Sequence, residues 1–462
     1  MSKRFFGTDG VRGIANQDLT PEFALRLGQA AGRWLLANPS AGVPRAVIGR
    51  DTRRSGPMIG AALAAGLNSV GVDAHALGVA PTGAVSFLAR TGGAGLGVVI
   101  SASHNPAPDN GVKLIGQDGR KLSDEAEEAI ETLLDEPLSS RPIGAAVGRL
   151  ISDASPLAKY VEALCAILPE RLDGMRLVVD AAHGAAYALG PEVLRRLGAE
   201  VVPIGTSPDG DNINEGHGAT HPATLQRAMA EHGADFGIAF DGDADRAVFA
   251  DNRGALVNGD RCMAIWSAHW RRHGRMSPAV VVGTVMSNTG FERYLESNGI
   301  RLERTQVGDK YVSKRMLELG AEVGGEQSGH IVFPEHGPTG DGLVTALELL
   351  RVLRRENRPA HELTESYANW PQLLVNVSLR ERPVLDGNAR FRAACERAEA
   401  MLDGHGRLNV RPSGTQPMVR VMAESESETL RDEAADLVVR TLVEEFGGSI
   451  YSRVDLTHAL GD

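Results

Sequence analysis

Cysteine is scarce in this chain: Cys165, Cys262 and Cys395 are spread over 462 residues with no paired spacing. That excludes a disulfide framework and a cysteine zinc site, and it fits a reducing compartment. Long apolar runs are missing too, so no segment reads as a membrane span. The start, Met1-Ser-Lys-Arg-Phe-Phe-Gly-Thr-Asp, turns polar after two aromatics, unlike a secretory signal. A cytoplasmic location is expected. Positive charge is in deficit, and a formal net charge of −11 argues against nucleic acid or an anionic membrane as partner. A small anionic substrate stays open, because Arg12, Arg50, Lys113, Arg246, Lys310, Arg411 and Arg420 recur beside the loops discussed below.

Several common signatures are lacking as well. There is no G-x-x-x-x-G-K-[ST] nucleotide loop and no G-x-S-x-G hydrolase elbow. The Gly92–Gly97 run misses the G-x-G-x-x-G spacing and is expected to precede its strand, whereas a dinucleotide fingerprint follows one. His361-Glu-Leu-Thr-Glu365 ends in glutamate where a zinc helix needs histidine. Cys165, among Leu and Ala, reads as core.

The length asks for three or four domains, and 42% hydrophobic with 23% charged residues is ordinary for a globular protein. Helix-like and strand-like segments alternate from the start. Pro21 to Ala37 has helical spacing with proline well placed for a first turn. Ala46–Gly49 and Val72–Leu77 read as strands, and Pro57–Val70 and Thr82–Ala89 as helices. Such alternation predicts a mostly parallel sheet covered on both faces. A new block starts near Ser152, with strands at Arg176–Asp180, Glu200–Ile204 and Phe236–Phe240. A polar segment over Asp251–Asp260 precedes a third block, with a strand at Val280–Gly283, a helix at Gly290–Asn298 and Glu322-Val-Gly leading into a loop at Glu326. From Pro371 the texture changes. Leu373–Leu379 alternates like a half-exposed strand, and helices near 388–403 and 426–445 flank two strand-like runs, as in a smaller α+β domain. Domains are accordingly expected at 1–151, 152–255, 256–370 and 371–462.

Four loops carry the chemistry. Ser101-Ala-Ser103-His-Asn-Pro106 follows the apolar run Gly97–Ile100, and ligands in open α/β sheets bind beyond the carboxyl ends of the strands. A serine hydroxyl there can carry a covalent group. The adjacent His104 reads as a loop hydrogen-bonder. Asp241, Asp243 and Asp245 are spaced by two, so three carboxylates can converge on one cation. An all-oxygen acidic set suits Mg²⁺ or Ca²⁺. An EF-hand fails because its sixth position is Arg246 and its twelfth Asn252. Unneutralised, the three charges would destabilise the loop, which makes a metal the better account. Ser103 is the natural occupant of an open metal position. Gly325-Glu326-Gln-Ser328-Gly-His330 offers groups that suit sugar hydroxyls, and His330 or Lys113 can move protons. Arg411-Pro-Ser413-Gly414-Thr415 combines a guanidinium, two hydroxyls and a glycine, a nest for phosphate.

In this order and spacing the four loops resemble the α-D-phosphohexomutase superfamily across essentially the whole chain. Phe6-Gly-Thr-Asp-Gly-Val-Arg-Gly13, Gln327 and Arg420-Val-Met-Ala-Glu424 are similar to the branch that acts on glucosamine phosphate. Phosphoglucomutase/phosphomannomutases usually carry Met at the position of Gln327. The resemblance implies three similar α/β domains with mixed sheets covered by helices, plus a smaller α+β domain, around a central cleft. It implies a phosphoserine at Ser103, Mg²⁺ on Asp241, Asp243, Asp245 and a Ser103 phosphate oxygen, and a glucosamine or glucose 1,6-bisphosphate as intermediate and activator. Substrate contacts are implied for Arg12, His104, Arg246, Lys310, Glu326, Ser328, Arg411, Ser413, Gly414, Thr415 and Arg420. The reaction implied converts a sugar 6-phosphate to its 1-phosphate. A phosphoglucomutase/phosphomannomutase is the alternative, a metal-dependent sugar-phosphate phosphatase comes after it, and a non-catalytic Ca²⁺-binding module would leave three of the loops unexplained. The partner is a small sugar phosphate, with no nucleic acid or membrane, and a homodimer is left open. Gln416 departs from the glutamate common in the family, and Lys310 from arginine.

Overall fold

The computed structural model describes residues 4–7, 9–38, 42–381, 383–413 and 417–457. Four sheets follow one another along the chain and define four units. The first has six strands, in the order Val11–Ile14, Asp109–Gly116, Ala94–Ile100, Val43–Arg50, Asp73–Val79 and Leu150–Ser152. Its centre is parallel, as the alternation predicts. The edge departs from that expectation, because Asp109–Gly116 runs antiparallel to both neighbours. The Ser101–Pro108 connection is too short for a crossover, so the chain can only return beside the strand it left. The Gly92–Gly97 run does not precede its strand but overlaps it, since the strand begins at Ala94. A Cβ on Gly97 would stand 3.1 Å from Ile115 and 3.2 Å from Val85, so small residues there let the helix Thr82–Gly92 pack closely.

The second sheet orders Leu256–Val257, Ala247–Asp251, Phe236–Phe240, Arg176–Asp180 and Glu200–Ile204. The segment expected to be merely polar beyond Asp251 thus contains a hairpin partner, Leu256–Val257. The third sheet orders Arg301–Thr305, Val280–Thr284, Val323–Gly325 and Ile331–Val332. The fourth is wholly antiparallel, in the order Gly406–Pro412, Met418–Ser425, Gln372–Ser378 and Ser449–Asp455.

One hydrophobic core runs through the first three units, joining Val85, Tyr160, Phe240 and Leu343. The fourth has its own core around Val375, Val421 and Leu442. Leu374, Met422 and Leu456 leave that core and pack on Met286 of the third unit. The half-exposed reading of Leu373–Leu379 holds towards the end of the strand: Leu373, Val375 and Val377 lie in the core under helices Ala389–Leu402 and Glu428–Phe446, while on the other face Leu374 is covered by the neighbouring unit and Asn376 and Ser378 stay partly exposed. The fold is α/β, with three sheet units covered by helices and a smaller α+β unit at the carboxyl end. Among the described residues no helix is long and apolar enough to cross a membrane.

Candidate active site

The strand Ala94–Ile100 is buried along its length and delivers the chain to Ser103, whose φ of 52° lies in the left-handed region unusual for a residue with a side chain. Short polar contacts hold it there. Ser103 N donates to Ser101 Oγ at 2.9 Å, and Ser101 Oγ donates to Asp51 Oδ2 at 2.5 Å. Ser103 Oγ donates to Asp241 Oδ2 on the second unit. The two loops meet so closely that a Cβ on Gly242 would lie 2.4 Å from the Ser103 carbonyl oxygen, which demands glycine. Only 1% of Ser103 is exposed, so bulk water has poor access to it. His104 Nδ1 lies 3.4 Å from Ser103 Oγ; burial, then Arg246 and Arg12, push its pKa down to about 4, so the ring is neutral.

Asp241, Asp243 and Asp245 leave the buried strand Phe236–Phe240 and are themselves buried, each offering an oxygen within 4.8 Å of the others. Asp243 Oδ2 accepts from Thr82 Oγ1 at 2.7 Å and from Lys113 Nζ at 2.9 Å. Lys113 Nζ also donates to Asp245 Oδ2 at 3.1 Å and stands 3.1 Å from Asp9 Oδ2. Burial works against its proton, but the three carboxylates lift its pKa well above the usual lysine range. Asp241 is pushed far up by burial and by the charges of Asp245 and Asp243. Burial would raise Asp245 too, yet Lys113 and His330 hold it well below the ordinary range. Lys113 thus supplies part of the neutralisation assigned above wholly to a metal. A demand for positive charge persists, since Asp243 Oδ1 and Asp245 Oδ1 are buried with no hydrogen-bond partner among the described residues. An all-oxygen set with two such atoms fits a hard divalent cation.

Beside this cluster opens a cleft of about 250 Å³ with walls from all four units. Arg12 and Lys121 come from the first, Asp245 and Arg246 from the second, Glu326, Ser328 and His330 from the third, and Arg411 and Arg420 from the fourth. Asp245 belongs to both the acidic cluster and the cleft wall, which joins the two. His330 has Nδ1 3.6 Å from Asp245 Oδ1 and Nε2 3.7 Å from Asp309 Oδ2. Burial works against its proton, but these carboxylates, Asp245 foremost, bring its pKa up to about 9. Its ring lies over Gly340, where a Cβ would come within 2.4 Å of Nε2. Glu326 Oε1 accepts from Gly308 N at 2.9 Å. Gln327 beside it is buried, and neither atom of its amide has a hydrogen-bond partner among the described residues.

Arg411 and Arg420 sit at facing positions of antiparallel strands, so both guanidinium groups project from one face. Like charges opposite one another repel, an arrangement that suits an anion between or beside them. Ser413 N donates to Met418 O at 2.8 Å. Gly414 and Thr415, with Gln416, lie outside the described residues. Lys310 is not among the cleft residues; its Nζ is 3.4 Å from Asp124 Oδ1 and 5.1 Å from the Tyr311 ring. Lys121, which the sequence reading passed over, lines the cleft instead and pairs with Asp9 and Asp309. Asp9, Thr82, Arg53 and Asn214 were also passed over, because the partners that place them at the site, Lys113 and Lys121 for Asp9, Asp243 for Thr82 and the Ser103 loop for Arg53 and Asn214, lie far away in sequence. The one available signal was Asp9, inside the Phe6–Gly13 segment.

Profiles for the phosphoglucomutase/phosphomannomutase alpha/beta/alpha domains I, II and III match residues 3–140, 158–254 and 258–370, and that for the C-terminal domain matches 374–441. The chain belongs to the phosphoglucomutase/phosphomannomutase family. A protein of Desulforudis audaxviator named phosphoglucosamine mutase is 49% identical over 441 residues, covering 95% of this chain and 98% of that one. Another of that name, from Paracoccus denitrificans, is 48% identical over 443 residues, covering 95% and 98%. Among solved structures, a family protein from Burkholderia thailandensis aligns with a TM-score of 0.79 at 26% identity, covering 96% of this chain and 98% of its own. The fold is also shared with Aspergillus fumigatus N-acetylphosphoglucosamine mutase in complex with GlcNAc-6P and magnesium, at a TM-score of 0.67, 18% identity and 96% coverage of each chain.

Proposed function

We propose that this chain is a phosphoglucosamine mutase, interconverting glucosamine 6-phosphate and glucosamine 1-phosphate through a phosphorylated Ser103 and a sugar 1,6-bisphosphate. The observation that carries the reading is the cleft with walls from all four units: Asp245, a member of the carboxylate cluster that holds Ser103 through Asp241, lines one part, and Arg411 and Arg420 line another. Two phosphate-handling regions are what a 1,6-transfer needs. The names of relatives close to half identical over nearly the whole chain support the same activity.

Phosphorylated Ser103 passes its phosphoryl group to the free hydroxyl of the bound sugar phosphate, giving the bisphosphate. Arg411, Arg420 and Ser413, with Gly414 and Thr415, hold the phosphate that is not reacting. Arg12 and Arg246 add positive charge to the cleft. The bisphosphate then turns, so that its other phosphate faces Ser103, and the serine is rephosphorylated as product leaves. Asp241, Asp243 and Asp245, with an oxygen on Ser103, would hold Mg²⁺, and that ion would supply charge neutralisation to the phosphoryl group. His330 is better placed than Lys113 to trade a proton with the sugar oxygens, because it lines the cleft while Lys113 is locked among three carboxylates; with its pKa up at about 9 it donates to the oxygen that leaves phosphorus, and it accepts from the attacking hydroxyl only in its neutral form. Lys113 acts as a fixed charge. What separates this reading from a phosphatase is the acceptor of the phosphoryl group, the sugar hydroxyl in a mutase and water in a phosphatase.

Glucosamine is favoured over glucose and mannose by the buried amide of Gln327 beside Glu326, which offers a donor and an acceptor to a polar substituent on the ring. The reading includes unit boundaries after residues 151, 255 and 370 and a cytoplasmic enzyme; a homodimer is one form it can take. A side-by-side assay of the three 6-phosphates, each with its bisphosphate activator, tests the substrate. Highest kcat/KM with glucosamine 6-phosphate is expected. Equal or better turnover of glucose or mannose 6-phosphate would assign a phosphoglucomutase/phosphomannomutase activity instead.

A further inference from the structure

The segment bearing Ser103 has no ladder to hold it, and its carbonyl groups are pinned from two sides. From the first unit comes Arg53, fully buried, with a guanidinium that offers five N–H donors and has all of them in use. Nε donates to Asp51 Oδ2 at 2.8 Å. Nη1 donates to the carbonyls of Pro106 and Asp109, and Nη2 to those of Ser103 at 3.0 Å and Asn105 at 2.7 Å. From the second unit comes Asn214, 4% exposed, whose Nδ2 donates to two of the same carbonyls, Ser103 at 2.9 Å and Asn105 at 3.0 Å.

Asn214 also packs against the acidic loop. A Cβ on Gly242, between Asp241 and Asp243, would lie 3.0 Å from Asn214 Nδ2 and 2.4 Å from the Ser103 carbonyl oxygen. One amide therefore holds the loop that carries the serine by hydrogen bonds while packing against the loop that carries the carboxylates. Its own backbone is anchored by Asn214 N donating to Ala182 O at 2.8 Å. Neither Asn214 nor Arg53 lines the cleft.

We propose that Asn214 is a positioning residue that sets Ser103 in register with the acidic loop across the junction of the first two units, with Arg53 as its counterpart within the first. The proposal rests on the phosphoserine reading above. Each carbonyl has two lone pairs, and at Ser103 and Asn105 one donor comes from each unit, so a shift of the Ser103 loop costs hydrogen bonds to both units. With the clamp loosened, the phosphoryl group is less well aligned with the sugar hydroxyl, whereas water, being mobile, needs no such alignment. The competing step breaks the Ser103 Oγ–P bond, joins a water oxygen to phosphorus, returns a proton to the serine oxygen and releases inorganic phosphate.

Asn214→Ala and the isosteric Asn214→Asp, which replaces the donor by a carboxylate facing two carbonyls, are assayed with glucosamine 6-phosphate and bisphosphate, with inorganic phosphate measured in parallel. A fall in kcat of about 10- to 100-fold with KM nearly unchanged is expected, together with more phosphate released per turnover, and a deeper loss in Asn214→Asp. A kcat equal to that of the unaltered enzyme, or a rise in KM alone, overturns the proposal. So does a fall in kcat with no change in phosphate released per turnover. Asn214→Ser gives the same reading should Asn214→Ala lose its fold, as judged by circular dichroism. Ser103→Ala run alongside separates the two levels: full activity there sinks the phosphoserine reading, whereas inactivity there with unchanged Asn214 variants sinks only the clamp.

Discussion

Lys113 Nζ stands 2.9 Å from Asp243 Oδ2, tying an inner strand of the first unit to the acidic loop of the second. The pair is buried on both sides, and Asp245 and Asp9 share the same ammonium. Three carboxylates this close survive burial because a cation arrives from another part of the chain. Removing it leaves uncompensated buried charge, a loss on the order of 3–5 kcal/mol. Lys113→Met should therefore be less stable in chelator than the unaltered protein and should regain more from Mg²⁺, because a divalent ion can replace the missing charge. Thermal melts with chelator and with excess Mg²⁺ check this. Equal Mg²⁺-induced shifts in the two proteins would show that lysine and metal do not share the site.

The metal assignment has its own test in Asp243→Asn, which keeps the shape of the side chain and removes its charge. Turnover should fall on the order of 10²–10³-fold, the scale for losing a transition-state charge stabiliser. The unaltered enzyme should lose activity in chelator and recover it with Mg²⁺. Full activity of the variant, or of the native enzyme in excess chelator, contradicts the assignment.

Arg411→Ala addresses the distal phosphate. A hydrogen bond to a charged group contributes about 1.5–3 kcal/mol, so KM for the sugar phosphate should rise roughly 10-fold or more. Initial-rate kinetics and bisphosphate titration report it. Unchanged affinity for both ligands would remove Arg411 from the phosphate site.

Asp260 offers a stability test away from the chemistry. It is buried at the start of helix Gly259–Arg272, accepts a bond from Asn288 N at 2.8 Å, and burial pushes its carboxyl up to about 6 from an ordinary 3.8. A raised carboxyl pKa means that the folded state holds the proton more tightly. The cost is absent below about pH 4, sets in between about pH 4 and 6, and is complete above, on the order of 3 kcal/mol. Asp260→Asn has no such titration. Its Tm relative to the unaltered protein should climb as pH goes from 4.5 to 7.5, and a pH-independent difference would refute the assignment.

What the sequence made legible were features carried by short-range pattern. The helix Pro21–Ala37 and the strands Arg176–Asp180, Glu200–Ile204 and Phe236–Phe240 fall where periodicity and capping put them. The serine, acidic and sugar loops stood out because chemistry-bearing residues cluster at strand ends. Helix Gly259–Arg272 was passed over: it is buried from Gly259 to Trp270 although it carries Asp260, Arg261, Ser267 and His269, and those polar groups answer to Asn288, Glu356 and Thr364, partners that only the fold supplies. Lys113 reads as a surface cation in isolation, since only tertiary pairing justifies burying an ammonium. Arg53, Asn214 and Lys121 were illegible for the same reason. Their roles lie in partners brought together by the fold.

The central claim is that Ser103 carries the phosphoryl group. Intact mass and site mapping of the purified protein, before and after incubation with a glucose or glucosamine 1,6-bisphosphate, measure it directly. One phosphate should be found on Ser103, its occupancy rising towards one per chain with the bisphosphate, and Ser103→Ala should take up none and turn over no substrate. Phosphate found only on other residues, with Ser103→Ala fully active, would contradict the account.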